Sequence, residues 1–187
     1  MTSGYQLSPE AKTLATLLAE KSFQKYQNVR GHYRNAFSSH LIGRLGEFAA
    51  YFWFRDQGLN PRINIAEPNG DRICDIDTDV GRCEVKTWRA EHWDDLGRAV
   101  TVSQLPSIKK KADFIFWCVA DDYESETPSV QLKGWSDVDA IDKDEPLMTG
   151  KIGRQIFNYQ ISVDDIQNLE LLKQGKNGQG RNTSEGN

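Results

Sequence analysis

Long apolar runs and paired cysteines are both missing from this sequence of 187 residues. No segment approaches the roughly 18 consecutive apolar residues that a membrane-spanning helix needs, so we expect no contact with a membrane. The amino terminus, MTSGYQLSPE, also lacks a basic and then apolar secretion signal. The three cysteines, Cys74, Cys83 and Cys118, are odd in number and lack zinc-ligand spacing, which predicts reduced thiols in a cytoplasmic protein.

A surplus of positive charge is missing as well. The chain has 23 Lys and Arg against 27 Asp and Glu, a formal net charge of −4, whereas nucleic-acid-binding domains tend to be basic. The charge is unevenly distributed, however. Residues 1–46 carry six basic and two acidic residues, and residues 121–145 carry nine acidic and two basic ones. The total charge therefore decides little about the partner.

The composition that is present, 38% hydrophobic residues with five Trp, is typical of a globular protein. We expect a single domain over residues 1–173, in which residues 1–37 form a helical extension at the amino terminus. Residues 174–187 contain no large apolar side chain, which predicts a disordered tail.

Local patterns predict a mixed α/β chain. Ser8-Pro9-Glu10 is a helix-start signal, so a helix is expected from there to about Tyr26. A second helix is expected from residue 38 or 39 to just before Gly58, because apolar residues recur there at helical spacing. The remaining patterns predict strands at 72–78, 82–88, 113–120, 129–135 and 156–162, helices at 103–111 and 163–172, and a loop at 89–100.

Residues 81–88, GRCEVKTW, alternate in the manner of a half-buried strand, so Glu84 and Lys86 share one face. If a two- or four-residue loop joins this strand to the preceding one, Asp75 lies opposite Glu84 or Lys86. A three-residue loop with a bulge at Gly81 would shift the pairing by one residue and separate Asp75 from Glu84. In the first case one face carries Asp75, Asp77, Glu84 and Lys86, and the other carries Cys74, Ile76, Cys83 and Val85.

Clustered carboxylates on such a face indicate a metal site. Carboxylates close together repel one another, and without a cation the pKa of at least one of them is raised. A divalent ion removes that cost, and ligands that are all oxygen favour Mg²⁺, with Mn²⁺ as a substitute. Such an ion polarises a scissile phosphate and lowers the pKa of a bound water, while a neighbouring lysine could orient or deprotonate that water or neutralise developing charge.

Asp75, followed after a short hairpin by Glu84-Val85-Lys86, resembles the signature of the PD-(D/E)XK nuclease superfamily. GRLGEFAAYF, residues 43–52, resembles the helix that commonly precedes this signature. The resemblance extends over roughly residues 38–135. It implies a restriction-endonuclease-like αβββαβ core, with a mixed central sheet flanked by helices.

The resemblance also implies roles for individual residues. Asp75 and Glu84 would be metal ligands, Lys86 the catalytic lysine, and Glu47 an accessory ligand or a group that orients water. Cys74 stands where the signature often has proline, a common variation. Asp77 is an alternative ligand, but Asp75 fits the pattern better because Ile76 follows it.

We therefore expect a Mg²⁺-dependent deoxyribonuclease, acting as an endonuclease in preference to an exonuclease. One alternative is a catalytically inactive relative that binds nucleic acid or a protein. Another is a structural or regulatory protein whose acidic segment, residues 121–145, contacts a basic partner. A two-fold homodimer would suit an enzyme that must reach both strands of a duplex, although no residue indicates one.

Phosphate contacts are expected from the basic residues that lie near the signature in the sequence. With one amide side chain added, the candidates for DNA binding are Arg34, Arg44, Gln104, Lys109, Lys110 and Lys111. They predict a DNA groove between the amino-terminal helices and the hairpin, with the acidic segment away from it.

Overall fold

Five α-helices and nine β-strands make up the described part of the chain, which comprises residues 3–26, 36–64, 73–95, 97–150 and 155–178 of a computed structural model. For Ser3 and residues 174–178 only the backbone is described. The helices are α1 (Pro9–Tyr26), α2 (Phe37–Asp56), α3 (Ala90–Trp93), α4 (Leu105–Lys111) and α5 (Leu169–Gly178). The strands are β1 (Ser3–Gln6), β2 (Arg62–Ile63), β3 (Ile76–Thr78), β4 (Gly81–Arg89), β5 (Ala99–Thr101), β6 (Phe114–Asp121), β7 (Ser129–Asp137), β8 (Leu147–Thr149) and β9 (Ile156–Gln160). The predicted α/β class is confirmed.

The main sheet has six strands in the order β1-β7-β6-β4-β3-β2. Its two central strands, β4 and β6, are parallel, and the other neighbouring pairs are antiparallel. Parallel neighbours need a crossover connection, which here contains α3, β5 and α4. The other three strands form a small antiparallel sheet in the order β5-β9-β8.

Strand β6 is buried on both faces and separates two hydrophobic clusters. Phe114, Phe116 and Cys118 face the cluster that includes α1 and α2. The intervening Ile115 and Trp117 face a second cluster, which includes residues of α3, α4 and β5. Because both faces are covered, this strand is a continuous apolar run rather than an alternating one.

The longer elements agree with the sequence predictions, and the short ones account for most of the differences. Residues 89–100, predicted to be a loop, instead contain α3 and β5. These elements have only four and three residues, too few to show a period in the sequence. The strand β1, which pairs along β7 at one edge of the main sheet, was also not predicted.

Near the carboxyl terminus the predicted boundaries shift. The helix expected at 163–172 is a 3₁₀ turn at Val163–Asp165 followed by α5, which begins at Leu169. Helix α5 continues to Gly178, five residues into the segment predicted to be a tail, and residues 179–187 lie outside the described residues. None of the helices in the described ranges is long and apolar enough to cross a membrane.

Candidate active site

The loop between β3 and β4 has two residues, Asp79 and Val80, because Thr78 pairs with Gly81. Of the loop lengths that the sequence left open, the two-residue loop is therefore confirmed. Gly81 has a φ of +134°, a backbone conformation that favours glycine. In this register Asp77 pairs with Arg82, so Asp75 rather than Asp77 approaches Glu84.

Asp75 lies one residue before β3, and two hydrogen bonds hold it against β4. Its main-chain N–H donates to the carbonyl oxygen of Cys83 over 3.0 Å. Its carboxylate accepts a hydrogen bond of 2.8 Å from the main-chain N–H of Val85. The side chain of Asp75 is thereby hydrogen-bonded to the backbone at the middle of the Glu84-Val85-Lys86 tripeptide.

Cys74 does not lie on the face that the strand alternation predicts. Ile76 belongs to the cluster under α1 and α2, whereas Cys74 is buried in the second cluster with Trp93. The predicted face of Cys74 is therefore wrong. The reason is that regular strand geometry begins only at Ile76, so the alternation does not extend back to Cys74.

Glu84 lies between two lysines and is only 6% exposed. Nζ of Lys86 donates a hydrogen bond of 2.9 Å to Oε1 of Glu84. Nζ of Lys111 lies 2.7 Å from Oε2, but this oxygen has no partner with hydrogen-bond geometry among the described residues. Burial would raise the pKa of Glu84, but the charges of the two lysines outweigh burial and lower it.

Lys111 is the residue of this cluster that sequence reasoning assigned elsewhere. It was predicted to contact DNA, but its side chain is 12% exposed and forms an ion pair with Glu84. Burial lowers the pKa of Lys111, and the carboxylates of Glu84 and Asp75 outweigh burial and raise it. The sequence carries no local signal for this ion pair, because Lys111 reaches Glu84 only where β6, which follows α4, lies beside β4 and parallel to it.

Glu47 reaches the site from α2. It forms an ion pair of 2.6 Å with Arg44, one turn earlier in the helix, and Arg44 also donates to Oγ of Ser22 in α1. Burial raises the pKa of Glu47, against the opposing charge of Arg44, and the carboxylate of Glu84 raises it further. Arg44, a predicted phosphate contact, is therefore engaged with Glu47 and Ser22.

The structure brings together the four residues predicted to be catalytic, Glu47, Asp75, Glu84 and Lys86. Burial, followed by the carboxylates of Glu84 and Glu47, raises the pKa of Asp75 well above its usual value. The acids thus interact electrostatically. In the part of the chain that the structure describes, however, no group of three or more His, Cys, Asp and Glu side chains is arranged to hold a metal ion.

The other predicted DNA contacts are dispersed. Nζ of Lys109 lies 2.9 Å from the carboxylate of Asp142, so the acidic segment expected to lie away from the groove reaches α4 at this point. The side chain of Lys110 is exposed. Gln104 is half-buried at the start of α4, and Arg34 lies outside the described residues.

Comparison with known proteins identifies no relative of this chain. No family model matches the chain, and neither a curated protein nor a solved structure is significantly similar to it. The function therefore has to be inferred from the fold and the geometry of the cluster.

Proposed function

We propose that the chain is a metal-dependent nuclease that hydrolyses phosphodiester bonds in DNA. The observation that carries the proposal is the hydrogen bond from the N–H of Val85 to the carboxylate of Asp75. It brings an acid from before the hairpin onto the tripeptide that contains Glu84 and Lys86. Asp75, Glu84 and Lys86 would form the reaction centre, with Glu47 in an accessory role.

The order of the elements supports the same proposal. Helix α2 is followed by β2, β3 and β4, which form an antiparallel meander, then by the short elements α3 and β5, and then by α4 and β6. Strand β6 lies beside β4 and runs parallel to it. If α3 and β5 are treated as an insertion, this order matches the αβββαβ core that the resemblance implies, with Asp75 just before β3 and with Glu84 and Lys86 on β4.

The donor chemistry of the cluster fits a hard divalent cation. Oε2 of Glu84 is buried and makes no well-aligned hydrogen bond among the described residues, and the pKa of Asp75 is raised by burial and by neighbouring carboxylates. A cation held by Asp75 and Glu84 would relieve both conditions, and carboxylate oxygens suit Mg²⁺ or Mn²⁺. When bound, the ion would polarise the scissile phosphate and lower the pKa of a bound water.

The side chains of the cluster supply the other requirements of hydrolysis. Lys86 lies on the same strand face as Glu84 and within 2.9 Å of it, so its ammonium group is held at the edge of the site. A positive charge there stabilises the negative charge that develops on the phosphate. Glu47, held by its ion pair with Arg44, would accept a hydrogen bond from the attacking water.

One observation favours a second candidate, a catalytically inactive module that binds nucleic acid or a protein. Both carboxylate oxygens of Glu84 already face a lysine, Lys86 at Oε1 and Lys111 at Oε2. The buried charge of Glu84 is therefore compensated without a metal ion. The two candidates differ in whether divalent cations bind and DNA is cut.

The test combines cleavage with thermal unfolding. Plasmid and branched DNA are incubated with the protein in Mg²⁺, in Mn²⁺ or in EDTA, and Asp75→Asn and Glu84→Gln serve as variants. We expect cleavage only with a metal ion and only in the unmodified protein. Metal should also raise the free energy of unfolding of the unmodified protein, by about 2.7 kcal/mol when the metal concentration is a hundred times Kd. Both substitutions should abolish this effect. If the protein binds DNA but does not cut it, and if metal ions do not stabilise it, the inactive module is favoured.

A further inference from the structure

The two lysines at Glu84 are held in different ways. Lys86 donates a directional hydrogen bond to Oε1. Lys111 approaches Oε2 to 2.7 Å as an ion pair, but the contact is less well aligned for a hydrogen bond than that of Lys86. Another cation could therefore replace Lys111 at Oε2 at a smaller cost in directional hydrogen bonding than replacement of Lys86 at Oε1.

The buried cluster is already balanced in formal charge. Three carboxylates, those of Glu47, Asp75 and Glu84, face three cationic side chains. The cations are Arg44, Lys86 and Lys111. A divalent ion added to this balanced group would create a surplus of positive charge in a poorly solvated place, which is unfavourable. Departure of one of the three cations would reduce that surplus.

Lys111 is the cation best placed to leave. It is the last residue of α4, and Ala112 after it already has an extended backbone. On either side the chain is anchored, because Lys109 pairs with Asp142 and Asp113 pairs with Arg82 over 2.7 Å. The long, flexible side chain of Lys111 could therefore move to solvent while the helix stays in place.

We propose that Lys111 is a built-in counter-cation of Glu84 that competes with the divalent ion and is released when that ion binds. The proposal rests on the proposed function, since it concerns an acid that would hold the metal. It follows that metal binding is weak in the free protein. A DNA phosphate brings negative charge and could receive the released ammonium group, so bound DNA should raise the affinity for the metal ion. By the same coupling, bound metal should raise the affinity for DNA to the same extent.

The first measurement is the affinity for Mn²⁺, obtained from the electron paramagnetic resonance signal of the free ion. The unmodified protein is compared with Lys111→Met, which keeps an unbranched side chain without the charge. The matched control is Lys110→Met, at the neighbouring exposed position. We expect Lys111→Met to bind Mn²⁺ about tenfold more tightly or better, because a unit charge a few ångströms away acts strongly in a buried site. Lys110→Met should bind like the unmodified protein.

A second measurement uses the unmodified protein and so does not depend on a variant that folds. Limited acetylation by an N-hydroxysuccinimide ester, followed by mass spectrometry, reports how accessible each lysine is. Lys111 should be protected without Mn²⁺ and become several-fold more reactive at saturating Mn²⁺. Lys110 should react equally in both conditions.

The outcomes separate this inference from the proposed function. Equal Mn²⁺ affinity in Lys111→Met and the unmodified protein would overturn the inference and leave the nuclease proposal standing. Continued protection of Lys111 while Mn²⁺ is bound would do the same. Failure of the unmodified protein and of both variants to bind Mn²⁺, with or without a DNA duplex, would overturn both.

Discussion

Gly46 of α2 lies against Thr87 of β4 so closely that a Cβ atom at position 46 would stand 1.8 Å from Oγ1 of Thr87. A helix can approach a strand this closely only where it carries no side chain. Thr87 follows Lys86, and Glu47 follows Gly46. The contact therefore limits how far Glu47 can lie from the strand that carries Glu84.

The first prediction compares the two glycines of α2. Gly46→Ala should lower the free energy of unfolding by about 1–2 kcal/mol, because overpacking against Thr87 outweighs the better helix propensity of alanine. Gly43→Ala is the matched control, since a Cβ atom at Gly43 has nothing within 4 Å. It should be neutral or stabilising by up to about 1 kcal/mol. Urea denaturation measures both, and equal stability of the two variants would contradict the close contact.

The second prediction concerns the pH dependence of stability. Burial and the carboxylates of Glu84 and Glu47 raise the pKa of Asp75 well above its usual 3.8. A carboxyl group with a raised pKa holds its proton more tightly when folded, so its ionisation destabilises the folded state. This destabilisation is absent below the unfolded pKa, grows as the pH rises toward the folded pKa, and is complete above it.

Asp75→Asn removes this ionisation and keeps an oxygen that can accept from the N–H of Val85. In EDTA at pH 7 the variant should therefore melt roughly 2–4 °C above the unmodified protein, the shift expected of about 1 kcal/mol in a chain of this size. The difference should shrink as the pH falls toward 4. Melting curves recorded across this range test it, and a difference that does not depend on pH would show that ionisation of Asp75 is not its cause.

The third prediction assigns Lys86 to the chemical step. Lys86→Ala removes the hydrogen-bond donor at Oε1 of Glu84 but leaves Lys111 beside Oε2, so the fold should be retained. Cleavage at saturating metal should fall by roughly a hundredfold or more, while affinity for DNA changes little. Single-turnover cleavage and fluorescence anisotropy measure the two quantities, with Lys143→Ala, at an exposed position outside the cluster, as control. A cleavage rate near that of the unmodified protein would reduce Lys86 to a structural counter-ion.

The fourth prediction locates the DNA backbone by its salt dependence. Lys110 is exposed, whereas Lys109 is engaged with Asp142. Lys110→Ala should therefore lower the slope of log K against log salt by about one unit, and Lys109→Ala should lower it less. Both substitutions are introduced into a Glu84→Gln parent, so that binding is measured without cleavage. Equal, unchanged slopes would place the DNA away from α4.

Strong local signals made the larger elements predictable. The Ser8-Pro9-Glu10 start defines α1, and the apolar stripe at helical spacing defines α2. Alternation and a continuous apolar run identify β4 and β6. Short strands gave no such signal: β2 has two residues and β5 has three. Such strands form because a partner pairs with them, which the local sequence does not reveal.

For the site, the order of amino acids is enough to predict which acids and lysines are available and that Glu84 and Lys86 share one strand face, because a strand has a period of two. That the β3–β4 loop has two residues, which brings Asp75 to β4, is visible only in the folded chain. The same is true of the ion pair between Lys111 and Glu84, which keeps Lys111 from facing solvent. The reason is that this pair depends on a crossover that places β6 beside β4, and distances between residues far apart in the chain leave no local pattern.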